Sequence, residues 1–173
     1  KTATGVEVVI APTTDAAKTE TLTADKVLVA IGVKGRFEGL FDAKLGIEIF
    51  KDHIKVERPS YQTSVKGIYA VGDVNGPPWL AHKASHEGVV CVERIKGLNT
   101  VHPLDVTKIP GCTYCSPQVA SVGLTEKAAK DQGYEVKVGR FPFIGNGKAI
   151  ALGEPEGMVK TVFDARTGEL LGA

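Results

Sequence analysis

The sequence runs to 173 residues, with 43% hydrophobic and 24% charged side chains and a formal net charge of +1. Such values suit a globular chain holding one large domain or parts of two, and they exclude disordered, collagenous and strongly polycationic classes. No run of five basic residues offers a footprint for nucleic acid or a membrane surface, no apolar stretch approaches the ~18 residues of a membrane span, and Lys1 to Gly5 hold no leader core.

Three cysteines, Cys91, Cys112 and Cys115, are an odd number for a disulfide scaffold, so a soluble protein of a reducing compartment is expected. The chain opens on Lys1 and stops at Gly172-Ala173 within a strand-like run, which suggests an internal fragment cut at both ends.

In chain order, Val6 to Ile10 and Lys18 to Leu22 flank a polar loop and predict a hairpin without a core of its own. Val27 to Ile31 are five consecutive apolar residues ending at Gly32, the pattern of a strand buried on both faces. His53 to Glu57 alternate as a half-buried strand does, and Ile68 to Val71 predict a short strand running into Gly72-Asp73.

After the breaker Gly76-Pro77-Pro78, the spacing of Ala81, Ala84, Gly88, Val92 and Ile95 predicts a helix from Leu80 to Lys96, with those residues on one face whose small side chains let another surface approach closely, and Gly97 as its stop. Pro103 and Pro110 mark a connector. Beyond it come a strand at Val119 to Gly123, a helix capped by Thr125 and stopped by Gly133, a strand from Tyr134 to Phe143, and a hairpin of Met158 to Phe163 with Glu169 to Leu171. Strands with few helices predict an α+β unit there.

Asp73 is the residue with the clearest chemistry. A carboxylate just past an apolar strand and a glycine either opens a turn or accepts hydrogen bonds from a ligand at the strand's carboxyl end. Gly72 leaves room for a ligand to approach the backbone, and the helix that opens at Trp79-Leu80-Ala81-His82 brings unpaired N–H groups and partial positive charge to the same place.

Ile68-Tyr69-Ala70-Val71-Gly72-Asp73, followed by Leu80-Ala81-His82-Lys83-Ala84, resembles the second flavin motif of the pyridine nucleotide-disulfide oxidoreductases. Val27 to Gly32 resembles the strand that closes the family's nicotinamide-binding domain, and Phe141-Pro142-Phe143 with Asn146-Gly147 resembles its dimerisation domain. Leu80 to Lys83 and Gln118 to Gly123 point within the family to the branch that oxidises protein-bound dihydrolipoamide, over glutathione or mercuric reductases.

The resemblance implies an α/β fold, with the end of the NAD domain at 1–31 and the second segment of the FAD domain at 32–104. Part of an α+β dimerisation domain follows at 105–173. It further implies that Asp73 binds the FAD ribityl chain, that Gly72 and the backbone of Trp79, Leu80, Ala81 and His82 meet the flavin, and that Gly32 lies beside NAD. Implied partners are a second copy and the lipoyl domains of 2-oxo acid dehydrogenase or glycine cleavage complexes, in a bacterial cytoplasm or mitochondrial matrix, with no nucleic acid and no membrane.

No catalytic residue is expected in this stretch. The family's Gly-rich FAD loop, its pair of redox cysteines four residues apart and its His-Glu pair are absent from the sequence, so the segment alone is expected to be inactive and to hold FAD weakly or not at all. Cys112-Thr113-Tyr114-Cys115 has C-x-x-C spacing, yet prolines flank it and no second ligand pair accompanies it, which favours a loop or strand start. His82 and His86 share a helical face without a suitable acid, so no metal site is expected. Another disulfide or mercuric reductase, a non-catalytic dimerisation module and a small cysteine-based metal protein remain the rival readings.

Overall fold

The computed structural model describes residues 5–98 and 100–173. Residues 1–4, on which most of the leader reading falls, and Asn99 lie outside them. The chain divides into two compact units, Lys1–Val33 and Lys34–Ala173.

In the first unit, β1 (Val6–Ile10) pairs antiparallel with β2 (Glu20–Ala24), with Val8 opposite Leu22. The expected hairpin is there, and no described residue of this unit is buried. The expected strand over 27–31 is not formed: Leu28 is 90% and Ile31 92% exposed, and the run joins no sheet. A strand buried on both faces needs a hydrogen-bonding neighbour and covering layers. Among the described residues this run has neither.

The second unit begins with a small hairpin, β3 (Ile49–Phe50) and β4 (His53–Ile54), whose turn residues Lys51 and Asp52 both have positive φ. That geometry matches the twist of the flanking strands. The longer strand expected from His53 to Glu57 changes partner: the Lys55 N–H bonds to the Glu48 carbonyl, whereas Glu57 faces Gln62. Ile68 to Val71 is likewise an extended run with one bridge, Gln62 to Tyr69, rather than a strand. Its partner segment is broken at Tyr61, which stands at φ 60°.

The helix α1 (Ala81–Lys96) forms as its spacing predicts, and Gly97 ends it in the left-handed region, its N–H returning to the carbonyls of Arg94 and Glu93. Ala84 and Gly88 on the expected face are half-buried, but the most buried positions lie beside it. Lys83, Glu87 and Cys91 are buried, while Val92 is 64% and Ile95 55% exposed. Apolar spacing misled here because the surface beneath α1 is a polar turn of backbone, which ionic side chains can satisfy and aliphatic ones cannot.

After α1 come β5 (Gly111–Thr113) and β6 (Val119–Ser121), paired antiparallel with Cys112 opposite Ala120. Thr125 caps the short helix α2 (Glu126–Asp131) by accepting the Ala128 N–H at 3.1 Å. A three-stranded antiparallel sheet then forms from β7 (Val136–Pro142), β8 (Met158–Asp164) and β9 (Leu170–Gly172), in the order β7-β8-β9.

Between β7 and β8 lies a helix that the sequence reading omitted, α3 (Gly147–Leu152), capped by Asn146 and ended at Gly153. The hairpin turn after β8 is fastened by Asp164, whose carboxylate accepts the Arg166 N–H and the Thr167 hydroxyl. Core side chains of this region include Ala129 and Val162. Mixed helices and strands of this kind agree with the expected α/β and α+β character.

Candidate functional site

The residues singled out by sequence, Gly32 excepted, gather at the N-terminal end of α1. Gly32 belongs to the first unit and has φ 108°. From Val71 the chain turns through a single 3-10 turn, Gly72–Asn75, before the loop that leads to Leu80. Gly72 stands at φ 82°, and a side chain there would meet the Ala84 Cβ at 3.2 Å, so the turn lies directly on the first turns of α1. Only glycine combines that backbone angle with that approach.

Two charged side chains from α1 hold this turn. Glu87 is 0% and Lys83 1% exposed. Glu87 Oε2 accepts the Gly72 N–H at 2.7 Å and the Asn75 side-chain amide at 3.0 Å. Lys83 Nζ donates to the Gly72 carbonyl at 3.2 Å, the Gly76 carbonyl at 2.7 Å and Asn75 Oδ1 at 2.9 Å. Asn75 also donates to the Ala70 carbonyl at 3.1 Å.

Glu87 Oε1 takes no hydrogen bond by geometry, although Lys83 Nζ is 3.4 Å away and Arg58 Nη2 3.9 Å away. We regard the first of these as a true ion pair, since both groups are fully enclosed and Coulomb attraction does not require hydrogen-bond alignment. Nearby, burial and then the Glu87 charge push the Tyr61 hydroxyl above its usual range, with Arg58 acting in the opposite sense.

Asp73 lies between the residues so restrained, exposed to solvent, and none of the hydrogen bonds of the turn uses its carboxylate. Its backbone carbonyl accepts the Gly76 N–H at 3.2 Å. Leu80 is the N-cap of α1 and supplies no side-chain acceptor, so the first N–H groups of the helix, beginning at Ala81, have no side-chain cap.

Trp79 stacks on His53 with ring centroids 5.9 Å apart and donates from Nε1 to His53 Nε2 at 3.3 Å. This fixes His53 with its proton on Nδ1, 2.7 Å from the Lys51 carbonyl. His82 Nε2 meets the Pro110 carbonyl at 2.8 Å and is thereby a donor. The turn presents a carboxylate that its own hydrogen bonds leave free, and the helix packed on it begins with N–H groups lacking a side-chain cap, features suited to a polar, hydroxyl-rich or anionic ligand.

Lys83, Asn75 and Glu87 were missed as site residues in the sequence. The available signal was the stripe Lys83, Glu87 and Cys91 at intervals of four, with an opposite-charge pair set one helical turn apart next to a predicted turn. Cys112 and Cys115 are exposed and unpaired; Cys112 lies within the short strand β5, which ends at Thr113, and Cys115 in the loop that follows. His82 and His86 are both exposed. Among the described residues, no three His, Cys, Asp or Glu side chains are placed to hold a metal ion.

Two family descriptions match the chain: "Pyridine nucleotide-disulphide oxidoreductase" over residues 1–88 and "Pyridine nucleotide-disulphide oxidoreductase, dimerisation domain" over residues 109–173. Among curated relatives, a dihydrolipoyl dehydrogenase of Rhizobium etli is 58% identical over 90% of this chain and 32% of its own length. One from Zymomonas mobilis is 57% identical over 84% of this chain and 31% of its own, and one from Bacillus subtilis 48% over 90% and 32%. The chain thus spans about a third of the length of the curated relatives it matches.

In fold, the chain is similar to LpdA from Mycobacterium tuberculosis, with a TM-score of 0.83 at 24% identity over 99% of this chain and 36% of that one. It is also similar to the HOCl-induced flavoprotein disulfide reductase RclA from Escherichia coli, with a TM-score of 0.81 at 21% identity over 99% and 38%.

Proposed function

The chain belongs to the pyridine nucleotide-disulphide oxidoreductase family, and from that membership we propose that it forms part of a dihydrolipoyl dehydrogenase. The whole protein would oxidise the two thiols of protein-bound dihydrolipoamide to a disulfide. Two electrons and two protons leave the dithiol. NAD⁺ takes up a hydride, the equivalent of one proton and two electrons, and the second proton is released. Support comes from relatives 48–58% identical over 84–90% of the chain.

The family implies FAD and NAD(P) as cofactors of the whole protein. The turn fits one part of FAD: the Asp73 carboxylate is exposed and unused by the turn's own hydrogen bonds, beside a buried glycine and a helix end lacking a side-chain cap. On this reading Asp73 accepts from ribityl hydroxyls, Gly72 and the backbone of Trp79, Leu80, Ala81 and His82 lie against the flavin, and Gly32 lies beside NAD. Bound FAD supplies the relay of electrons between thiols and nicotinamide. The residues of this chain bind and orient it, and the partial positive charge of the α1 N-terminus favours negative charge on the ring.

We divide the chain as 1–31 from the NAD domain, 32–104 from the FAD domain and 105–173 from the dimerisation domain; the separate matches over 1–88 and 109–173 support the last of these breaks. The dimerisation match supports a homodimer. Lipoyl domains of 2-oxo acid dehydrogenase or glycine cleavage complexes are the proposed partners, in a bacterial cytoplasm or mitochondrial matrix. Among the described residues no helix is long and apolar enough to cross a membrane.

The observation that carries the flavin assignment is the free Asp73 carboxylate at the mouth of α1. Its test is Asp73→Ala in the whole protein: FAD content falls sharply and dihydrolipoamide:NAD turnover falls with it. Retention of stoichiometric FAD by that variant overturns the assignment. Turnover of glutathione disulfide or Hg(II) without any on dihydrolipoamide overturns the substrate.

A further inference from the structure

Burying an ammonium and a carboxylate together is a poor route to stability, because desolvation offsets most of their attraction and an apolar pair of similar volume often does as well. Lys83 and Glu87 are nonetheless fully enclosed on the inward face of α1. Their polar ends are spent on one object. The Gly72 N–H, the Gly72 and Gly76 carbonyls and both ends of the Asn75 amide terminate on these two side chains. Hydrogen bonds to ionised groups are shorter and roughly twice as strong as neutral ones, so this turn is fixed more firmly than its own backbone bonds would fix it.

We infer that Lys83 and Glu87 are positioning residues for the proposed flavin site, acting through the Gly72–Asn75 turn to hold the Asp73 carboxylate outward and in register with the N-terminus of α1. This rests on the flavin reading of Asp73 given above. The two residues touch no cofactor atom in this role. Glu87 sets the entry of the turn and Lys83 its exit, while Asn75 couples the two. Asp73 is the residue between the anchor points whose acid group remains free. Ligand sites of this kind require supporting groups that keep geometry to within about 0.5 Å, and Gly72 passes α1 so closely that an added Cβ would stand 3.2 Å from the Ala84 Cβ.

The experiment uses the whole protein with Glu87→Gln, which keeps the shape and an acceptor, alongside Lys83→Met and a core control, Val162→Ala in β8. Three quantities are read: the FAD dissociation constant by flavin fluorescence, the visible circular dichroism of bound flavin, and the melting temperature of the apoprotein. Glu87→Gln is expected to weaken FAD binding about ten- to hundredfold, the range for loss of a charged hydrogen bond, and to alter the flavin dichroism. Val162→Ala is expected to lower the melting temperature and leave affinity and dichroism unchanged.

Unchanged affinity and spectrum in Glu87→Gln overturn the inference. So does a control that loses FAD to the same extent at the same melting temperature, because the role is then only structural. If Lys83→Met yields no folded protein, Glu87→Gln decides alone. Absence of FAD from the unaltered whole protein overturns the flavin reading itself, and is recognisable because it precedes any substitution.

Discussion

The Lys83 ammonium lies 3.4 Å from Glu87 Oε1, one helical turn along α1, with both side chains out of solvent. Removing one member leaves a buried charge without its partner, which typically costs about 3–5 kcal/mol. Lys83→Met is expected to lose stability on that scale in urea unfolding. Lys83→Met/Glu87→Met recovers part of the loss, since no lone charge remains. A double variant less stable than Lys83→Met would show that the hydrogen bonds to Gly72 and Asn75, rather than charge pairing, dominate.

Two glycines close to that pair should respond in opposite directions to alanine. Gly72→Ala forces a Cβ to within 3.2 Å of Ala84 and strains a residue at φ 82°, which costs on the order of 1–3 kcal/mol. Gly88 lies inside α1 with nothing within 4 Å of an added Cβ. Gly88→Ala therefore gains about 0.5–1 kcal/mol from helix propensity. Thermal melting of the two variants checks the sign of each.

Glu126 meets Lys130, Lys160 and Arg140 at 2.8, 2.8 and 3.4 Å. Hydrogen bonds first from Lys130 and then from Lys160 hold its carboxyl down at about 2, from an ordinary 4.5. A group with a depressed folded-state value contributes stability above its unfolded value and loses it as the pH falls toward the folded one. The contribution is complete above pH 4.5 and disappears toward pH 2. Glu126→Gln should flatten the fall in melting temperature across that window and leave the curve's shape near neutrality unchanged. A wild-type acid limb in the variant would contradict the network's role.

The three free cysteines divide by environment. Cys91 is buried, and burial pushes its thiol above the usual range, whereas Cys112 and Cys115 are exposed. The thiolate is the reactive form. A chromogenic disulfide reagent at neutral pH is expected to titrate Cys112 and Cys115 in the native chain and Cys91 only after denaturant is added. Mass mapping of early adducts identifies the sites, and modification of Cys91 in the first phase would refute the assignment.

Legibility in the sequence followed the range of the interactions. The β1–β2 hairpin, α1 with its Gly97 stop, the Thr125 cap and the hairpin that follows Met158 rest on neighbours a few residues apart, and each is readable. Val27 to Ile31 were not, because a doubly buried strand is defined by chain segments beside it. The inward face of α1 was hidden for a related reason. A residue such as Glu87 reads as solvent-facing until its partner, the Gly72 N–H fifteen residues upstream, is brought against it. Asp73 was identifiable as a ligand candidate from its setting in the motif, but the pair that restrains its turn was not.

Val122 and Ala173 exchange both of their backbone hydrogen bonds at 2.8 Å, and the Leu124 N–H bonds to Leu171. This seam ties the segment after β6 to β9 of the β7-β8-β9 sheet and closes a loop that contains α2, β7, α3 and β8. The entropy lost in closing a loop grows only slowly with its length, so the final lock is thermodynamically mild. From sequence separation alone the seam is expected to form after the more local β7–β8 pairing. The neighbouring strands β7 and β8 can zip together first, and the seam completes only when both ends of a long stretch have arrived, a topology that slows folding while leaving the finished region to open cooperatively.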